Sequence, residues 1–156
     1  MQRLHQQTSR EEAQSLVEFA ISLVLLLILL AGVVDIGRAF FTFISLRDAV
    51  QEGASYGVAF PTHCTQIKER IKHTSSTPIS LDSLSDDAID VRISGVDCST
   101  AVTLGLACTP NELRVAVEMD NFQITMPFLG AILGRQTLTL RANIVDTIIS
   151  NPCSSP

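Results

Sequence analysis

Residues 19–34 read FAISLVLLLILLAGVV, roughly sixteen consecutive positions without a charge and with Ser22 as the one polar side chain. A run like this is apolar on every helical face, whereas a core helix of a soluble domain would interrupt it with polar residues at every turn. It reads as a membrane-crossing helix. A bilayer core takes about 20 residues at about 1.5 Å of rise each, so the span draws in Leu16 and Val17 at one end and reaches toward Asp35 at the other, at about residues 16–36. Glu18 then lies at or just inside the hydrocarbon edge. A carboxylate there is either an interfacial residue favoured by the helix N-terminal dipole or a group with a specific partner.

Composition agrees with an anchored protein. The chain has 156 residues, 46% hydrophobic and 17% charged, and its mean hydropathy is positive. That length leaves room for one modest domain and excludes architectures such as a TIM barrel, which needs about 250 residues. Eleven basic residues stand against sixteen acidic ones, a net charge of −5. With no Lys/Arg-rich run, nucleic-acid binding through a basic face is excluded.

Three kinds of segment produce an N-terminal apolar rod: a cleaved secretory signal, a permanent anchor, and a prepilin-type leader whose apolar part is retained. A secretory signal has a short basic region before its apolar stretch and a small-residue site just after it. Here the preceding region is long and mixed, MQRLHQQTSREEAQSLVE, and the best small-residue site, Gly37-Arg38-Ala39, comes only after Asp35. Charge does not orient the helix, because Arg3 and Arg10 are balanced by Arg38 and Arg47. The cysteines do so better. Cys64, Cys98, Cys108 and Cys153 all follow the rod, are even in number and show no C-x-x-C spacing, which suits disulfides in an oxidising compartment. The N-terminus is therefore expected in the cytoplasm and the remainder outside.

Beyond the rod no proline occurs before Pro61, so one helix is expected from about residue 12 to 59, on the order of 70 Å long at 1.5 Å per residue. Ala49, Gly53 and Gly57 recur every four residues and share one face, where missing side chains let another backbone approach. That face receives either the protein's own sheet or a neighbouring helix.

Ala13-Gln14-Ser15-Leu16-Val17-Glu18-Phe19-Ala20, then the rod, then Asp35-Ile36-Gly37-Arg38, then Ala49 with Glu52-Gly53-Ala54 and Tyr56, resembles the N-terminal signature of TadE-like proteins. These are pseudopilins and pilus-assembly proteins of the tight-adherence (Tad, or Flp) secretion system, related to type IV pili. A weaker resemblance runs over residues 115–145, with Pro127-Phe128-Leu129 and Leu138-Thr139-Leu140-Arg141-Ala142. The chain departs from the family pattern at Ala13, where Gly is usual, and at Gln51 and Ser55, where Arg is frequent. The resemblance implies cleavage between Ala13 and Gln14 by a prepilin-type peptidase, leaving Glu18 as the fifth residue of the mature chain. It implies that the Glu18 carboxylate meets the new α-amino group of a neighbouring subunit. Such a pair returns much of the cost of a charge in low dielectric and so favours one axial register. It further implies membrane lipid, other pilin-like subunits and the Tad machinery as partners, at the bacterial cytoplasmic membrane or in a surface filament.

The outer portion reads as a small α+β unit. A short helix is expected over Thr65–His73, a Ser/Thr/Pro-rich linker over Thr74–Pro78, and strands at Asp90–Ser94, Glu112–Glu118 and Gln136–Ile149, where polar and apolar residues alternate. The expected fold is α+β and pilin-like, one long N-terminal helix packed on a small antiparallel sheet. Its divisions are a leader at 1–13, the long helix at 14–60 and an extracytoplasmic domain at 61–156. Four cysteines allow three pairings. Antiparallel pairing of the first two strands brings Cys98 and Cys108 to one end, which favours a Cys98–Cys108 bridge and leaves Cys64 for Cys153. Cys64 with Cys98, and a Cys64 free for an intermolecular bond, remain open.

Motifs that invite an enzyme reading are weak. Gly53-Ala54-Ser55-Tyr56-Gly57 satisfies G-x-S-x-G but falls in a helical stretch, where a nucleophile elbow needs a strand before it. The spacing of His63 and His73 fits no common zinc site. The Asp82, Asp86, Asp87 and Asp90 cluster lacks EF-hand spacing and its turn glycine. No enzyme activity, metal or cofactor is expected. The alternative function is a binding or sensory ectodomain on an uncleaved anchor.

Overall fold

A computed structural model of the chain describes residues 2–74, 80–126, 130, 134–150 and 152–153, with side chains from Gln14 onward. The expected leader lies in the described helix by backbone alone. Pro127-Phe128-Leu129, most of the Thr74–Pro78 linker and most of the tail after Ser150 lie outside the described residues.

Pro61 is the first proline, and α1 runs unbroken before it from Gln2–Ala59, 58 residues. The chain divides into two compact units, Met1–Gly37 with Ile124–Gln136, and Arg38–Gln123 with Thr137–Pro156. In the first unit most apolar helix residues are exposed, from Leu16 and Phe19 through Leu30 and Val34, while Ile28 and Gly32 are half-buried on the face that carries Asp35. The Ile124–Gln136 connection closes on itself through Ile124 N–H donating to the Gln136 carbonyl at 2.9 Å.

In the second unit α1 changes character. Thr42, Ser45, Leu46, Ala49, Val50, Gly53, Ala54, Gly57 and Val58 are buried, the three-and-four spacing of a helix with one face inward. Thr42 and Ser45 bury no unpaired hydroxyl, since each donates back to the carbonyl four residues earlier, Arg38 at 2.8 Å and Phe41 at 3.0 Å. This face packs with Ile67 and Ile71 of α2 (Cys64–His73) and with the sheet residues Val91, Ile93, Leu113, Val115 and Val117.

The sheet holds four antiparallel strands in the order β2-β1-β3-β4: β1 Ile89–Ile93, β2 Val96–Asp97, β3 Glu112–Gln123 and β4 Thr137–Thr147. The strands expected near Asp90, Glu112 and Gln136 are β1, β3 and β4. Ile89, Val91 and Ile93 point inward while Arg92 faces out, the period of two that their alternation carries. A two-residue turn with Ser94 at φ 50° and Gly95 at φ 80° reverses β1 into β2. Near the far end of β3, Met119 pairs with Leu140 but Phe122 pairs with Leu138, so a bulge interrupts the ladder. The architecture is the expected α+β plan of one long N-terminal helix against a small antiparallel sheet.

The expected bridges require correction. The structure links Cys64 to Cys98 and Cys108 to Cys153, not Cys98 to Cys108 and Cys64 to Cys153. The strand pairing behind the expectation is present, with Ile93 opposite Leu113. What separates the two cysteines is the chain between them, which forms β2 and then α3, Cys98–Thr103. Cys98 opens that helix, buried beside the Pro61 carbonyl, next to the start of α2 where Cys64 sits. Cys108 follows α3 in the loop that meets the chain end, where Thr109 bridges Pro152 and Ile148 N–H donates to the Asn111 carbonyl at 3.0 Å. The bridges close 34 and 45 residues of chain. By loop entropy each contributes about 4 kcal/mol.

Candidate assembly surface

Glu18 is exposed on α1, and so are its neighbours Leu16, Val17 and Phe19, each at least 60% accessible. α1 is the described helix long and apolar enough to cross a membrane, and its most apolar window is almost wholly bare. A helix bare and apolar all round is stable in water only at a large cost, so lipid or other apolar helices have to cover it. A carboxylate within such a surface strongly favours a cationic partner.

Asp35 is a group to which the sequence assigned no partner. There it ended the apolar run and stood in the TadE-like resemblance, and in the structure it is buried. One carboxylate oxygen accepts the Met126 N–H at 2.7 Å and the other accepts the Thr125 hydroxyl. Met126 also lies against the helix, its sulfur 3.5 Å from where a Cβ on Gly32 would stand. The one clue in the sequence was a lone acid at the end of a rod followed far downstream by an apolar connection, and no local pattern joins positions 35 and 126.

The Ala49, Gly53 and Gly57 face lies inside the second unit. Ala49 is fully buried. A Cβ on Gly53 would come 2.8 Å from Ile71 Cδ1, and one on Gly57 would come 2.5 Å from Leu113 Cδ2 and 3.1 Å from Ile67 Cδ1. The glycines admit the protein's own α2, at Gly53 and Gly57, and the sheet residue Leu113 of β3, at Gly57. Around this packing the exposed rim is polar: Arg70 pairs with Glu52 at 3.1 Å and lies 4.8 Å over the Tyr56 ring, whose hydroxyl meets His63 Nδ1 at 3.1 Å.

The remaining sequence candidates sit as follows. Ser55 is exposed within α1, so no strand precedes it. Among the described residues no group of three His, Cys, Asp or Glu side chains is placed to hold a metal ion. The acidic cluster is met by basic neighbours: Asp82 by His73 at 3.0 Å, Asp86 by Lys72, and Asp90 by Arg92 at 3.0 Å. Hydrogen bonding from Lys72, and then its charge, hold the Asp86 carboxyl below its usual range. Asp97 caps α3, accepting from the Ser99 hydroxyl at 2.5 Å and the Ser99 N–H at 3.1 Å, and the hydroxyl bond above all lowers its pKa.

Comparison with known proteins adds one finding. The family model described as TadE-like protein matches residues 13–55. No curated protein matches the chain, and no solved structure does. The matched stretch starts at Ala13 and takes in Glu18, the rod, Asp35, Ala49 and Gly53. Over residues 13–55 the chain is similar to the TadE-like family model.

Proposed function

We propose that the protein is a pseudopilin-type assembly subunit of a Tad/Flp system. The observation that carries this reading is the TadE-like match beginning at Ala13 on a helix whose rod is almost wholly exposed. Residues 1–13 are a cytoplasmic leader removed between Ala13 and Gln14 by a prepilin-type peptidase. Residues 14–60 are the long helix, crossing the bacterial cytoplasmic membrane at about 16–36, and residues 61–156 form the extracytoplasmic domain. The protein is a structural subunit without catalysis or cofactor. Its partners are membrane lipid, other pilin-like subunits and the Tad machinery, and its assembled form is part of a surface filament.

In this reading Glu18 sets register. Insertion needs only apolar length, whereas axial alignment needs the Glu18 carboxylate to find the α-amino group of a neighbouring subunit. Glu18→Ala should therefore leave the chain in the membrane fraction and remove it from co-purified or sheared pilus material. Wild-type recovery of the variant in that material would overturn the role of Glu18.

A further inference from the structure

The sheet ends on β4, and the pairing with β3 fixes which backbone groups face its open side. Ile148 N–H donates to the Asn111 carbonyl, and on the β1 side the Glu112 carbonyl accepts from Ser94. With Val115 opposite Ile144 and Val117 opposite Ala142, the even-numbered residues of β4 turn their N–H and C=O groups to β3, and Arg141, Asn143, Val145 and Thr147 turn theirs away from it. The end of α1 closes that open side only beyond the strand, where Ile149 N–H donates to the Val58 carbonyl at 3.2 Å. Thr147 N–H is taken by the Asp146 carboxylate at 2.8 Å. The N–H groups of Arg141, Asn143 and Val145 have no partner among the described residues. Beside them runs a groove of about 250 Å³, lined by Phe43, Arg47 and Val50 of α1 and by Arg141, Ala142 and Ile144 of β4. Its charged side chains are both arginines. Arg141 leans to Glu118 at 3.7 Å, while Arg47 has no ion-pair or hydrogen-bond partner among the described residues.

We propose that this edge binds an extended acidic segment of a partner protein, which adds a strand to the sheet beside β4. Main-chain bonds to Arg141, Asn143 and Val145 hold the segment, and the groove selects its sequence. Strand side chains alternate, so every second residue of the segment enters the groove. Phe43 and Arg47 stand one helical turn apart, about 6 Å, close to the roughly 6.7 Å between alternate residues of a strand. The segment therefore presents an apolar side chain to Phe43 and Val50 and, two residues away, a carboxylate to Arg47. A bare edge invites indiscriminate pairing, and the unpartnered Arg47 restricts that pairing to acidic strands. A second copy of this chain fits less well. Antiparallel pairing of two β4 edges follows a two-fold axis normal to the sheet and reverses α1, whereas chains anchored in one membrane run α1 the same way.

The probe is a fluorescein-labelled peptide, TVTVTETVT, whose valines and glutamate share one face, with TVTVTKTVT as its charge-reversed control. Fluorescence anisotropy with the full-length protein in detergent micelles should show saturable binding of the acidic peptide. The lysine peptide should bind at least about tenfold more weakly, because it sets like charge against Arg47. Val145→Pro removes an outward N–H that no ladder bond uses, a change that an edge strand tolerates. That variant should unfold near the wild-type temperature yet lose the peptide. Should it fail to fold, the acidic peptide N-methylated at every second residue, in each of the two phases, replaces it: one phase should abolish binding and the other retain it. Arg47→Glu should reverse the preference between the two peptides. Absence of saturable binding by the acidic peptide, equal affinity for both peptides, or undiminished binding by Val145→Pro would each overturn the inference. A wild-type protein that self-associates without peptide, and that Val145→Pro turns monomeric, would give the edge to a second copy and overturn it as well.

Discussion

Two stretches of a single helix put their apolar residues to opposite uses. Between Phe19 and Val34 the apolar residues occupy every face and nearly all stay exposed, as Leu25, Leu26 and Leu27 do in succession. Between Thr42 and Val58 they are interleaved with polar residues, and Leu46, Ala49, Val50 and Ala54 are almost fully buried on one face while Phe43 and Ile44 stay exposed off it. Apolar density and period together separate these outcomes. An apolar residue at helical spacing finds the protein's own sheet, while an unbroken run leaves no polar face to water and calls for another solvent. The small residues of the second stretch add a further condition, since Gly53 and Gly57 bring α2 and β3 within side-chain contact of the helix backbone.

The largest test of this contrast is a matched pair of truncations. Leu46→Ala should cost the second unit about 2–5 kcal/mol through lost burial and the cavity left behind, measured by thermal or denaturant unfolding. Leu26→Ala, the same chemistry in the rod, should leave that unfolding transition unchanged. Equal effects would erase the distinction between the two stretches.

Gly53→Leu sharpens the comparison by adding bulk where the structure has none to spare, since even a Cβ there crowds Ile71. Overpacking should destabilise by about 1–3 kcal/mol. An unshifted melting temperature would mean that α2 does not press on this face.

These residues also measure how much was legible beforehand. The rod, the helix up to Pro61, α2 and strands β1, β3 and β4 follow from local signals, namely apolar run length, the absence of proline and alternation of period two. What was not legible is nonlocal. α3 is six residues long and has no apolar stripe of its own, so the stretch that carries Cys98 away from Cys108 and toward Cys64 left no mark in the pattern. For the same reason the contact from Asp35 to Met126, ninety-one positions apart, was invisible, although Asp35 itself stood out. Glu18 was singled out by its place in an apolar run, and the small-residue face by its spacing, but spacing did not say which partner fills it.

The smallest expected effect concerns Asp97, the cap of α3. Asp97→Ala should cost about 0.5–2 kcal/mol, with no effect on the rod. The folded state holds Asp97 and Asp86 below their ordinary value of 3.8. Their contributions are therefore fully present above that value and are lost as pH falls through the lower folded values. Unfolding followed from neutral pH down into the acid range should show stability falling only on the acid side of the ordinary carboxylate value, and less steeply in Asp97→Ala. A loss of stability centred near neutral pH would assign the pH dependence to other groups.

The reading as a processed assembly subunit is tested most directly by sequencing the N-terminus of the protein purified from membranes of cells that carry the Tad machinery. The sequence should begin at Gln14, reading QSLVEFA, with Glu18 fifth. A mature protein that begins at Met1 under those conditions would contradict prepilin-type processing and leave the chain as an outer domain on an ordinary uncleaved anchor.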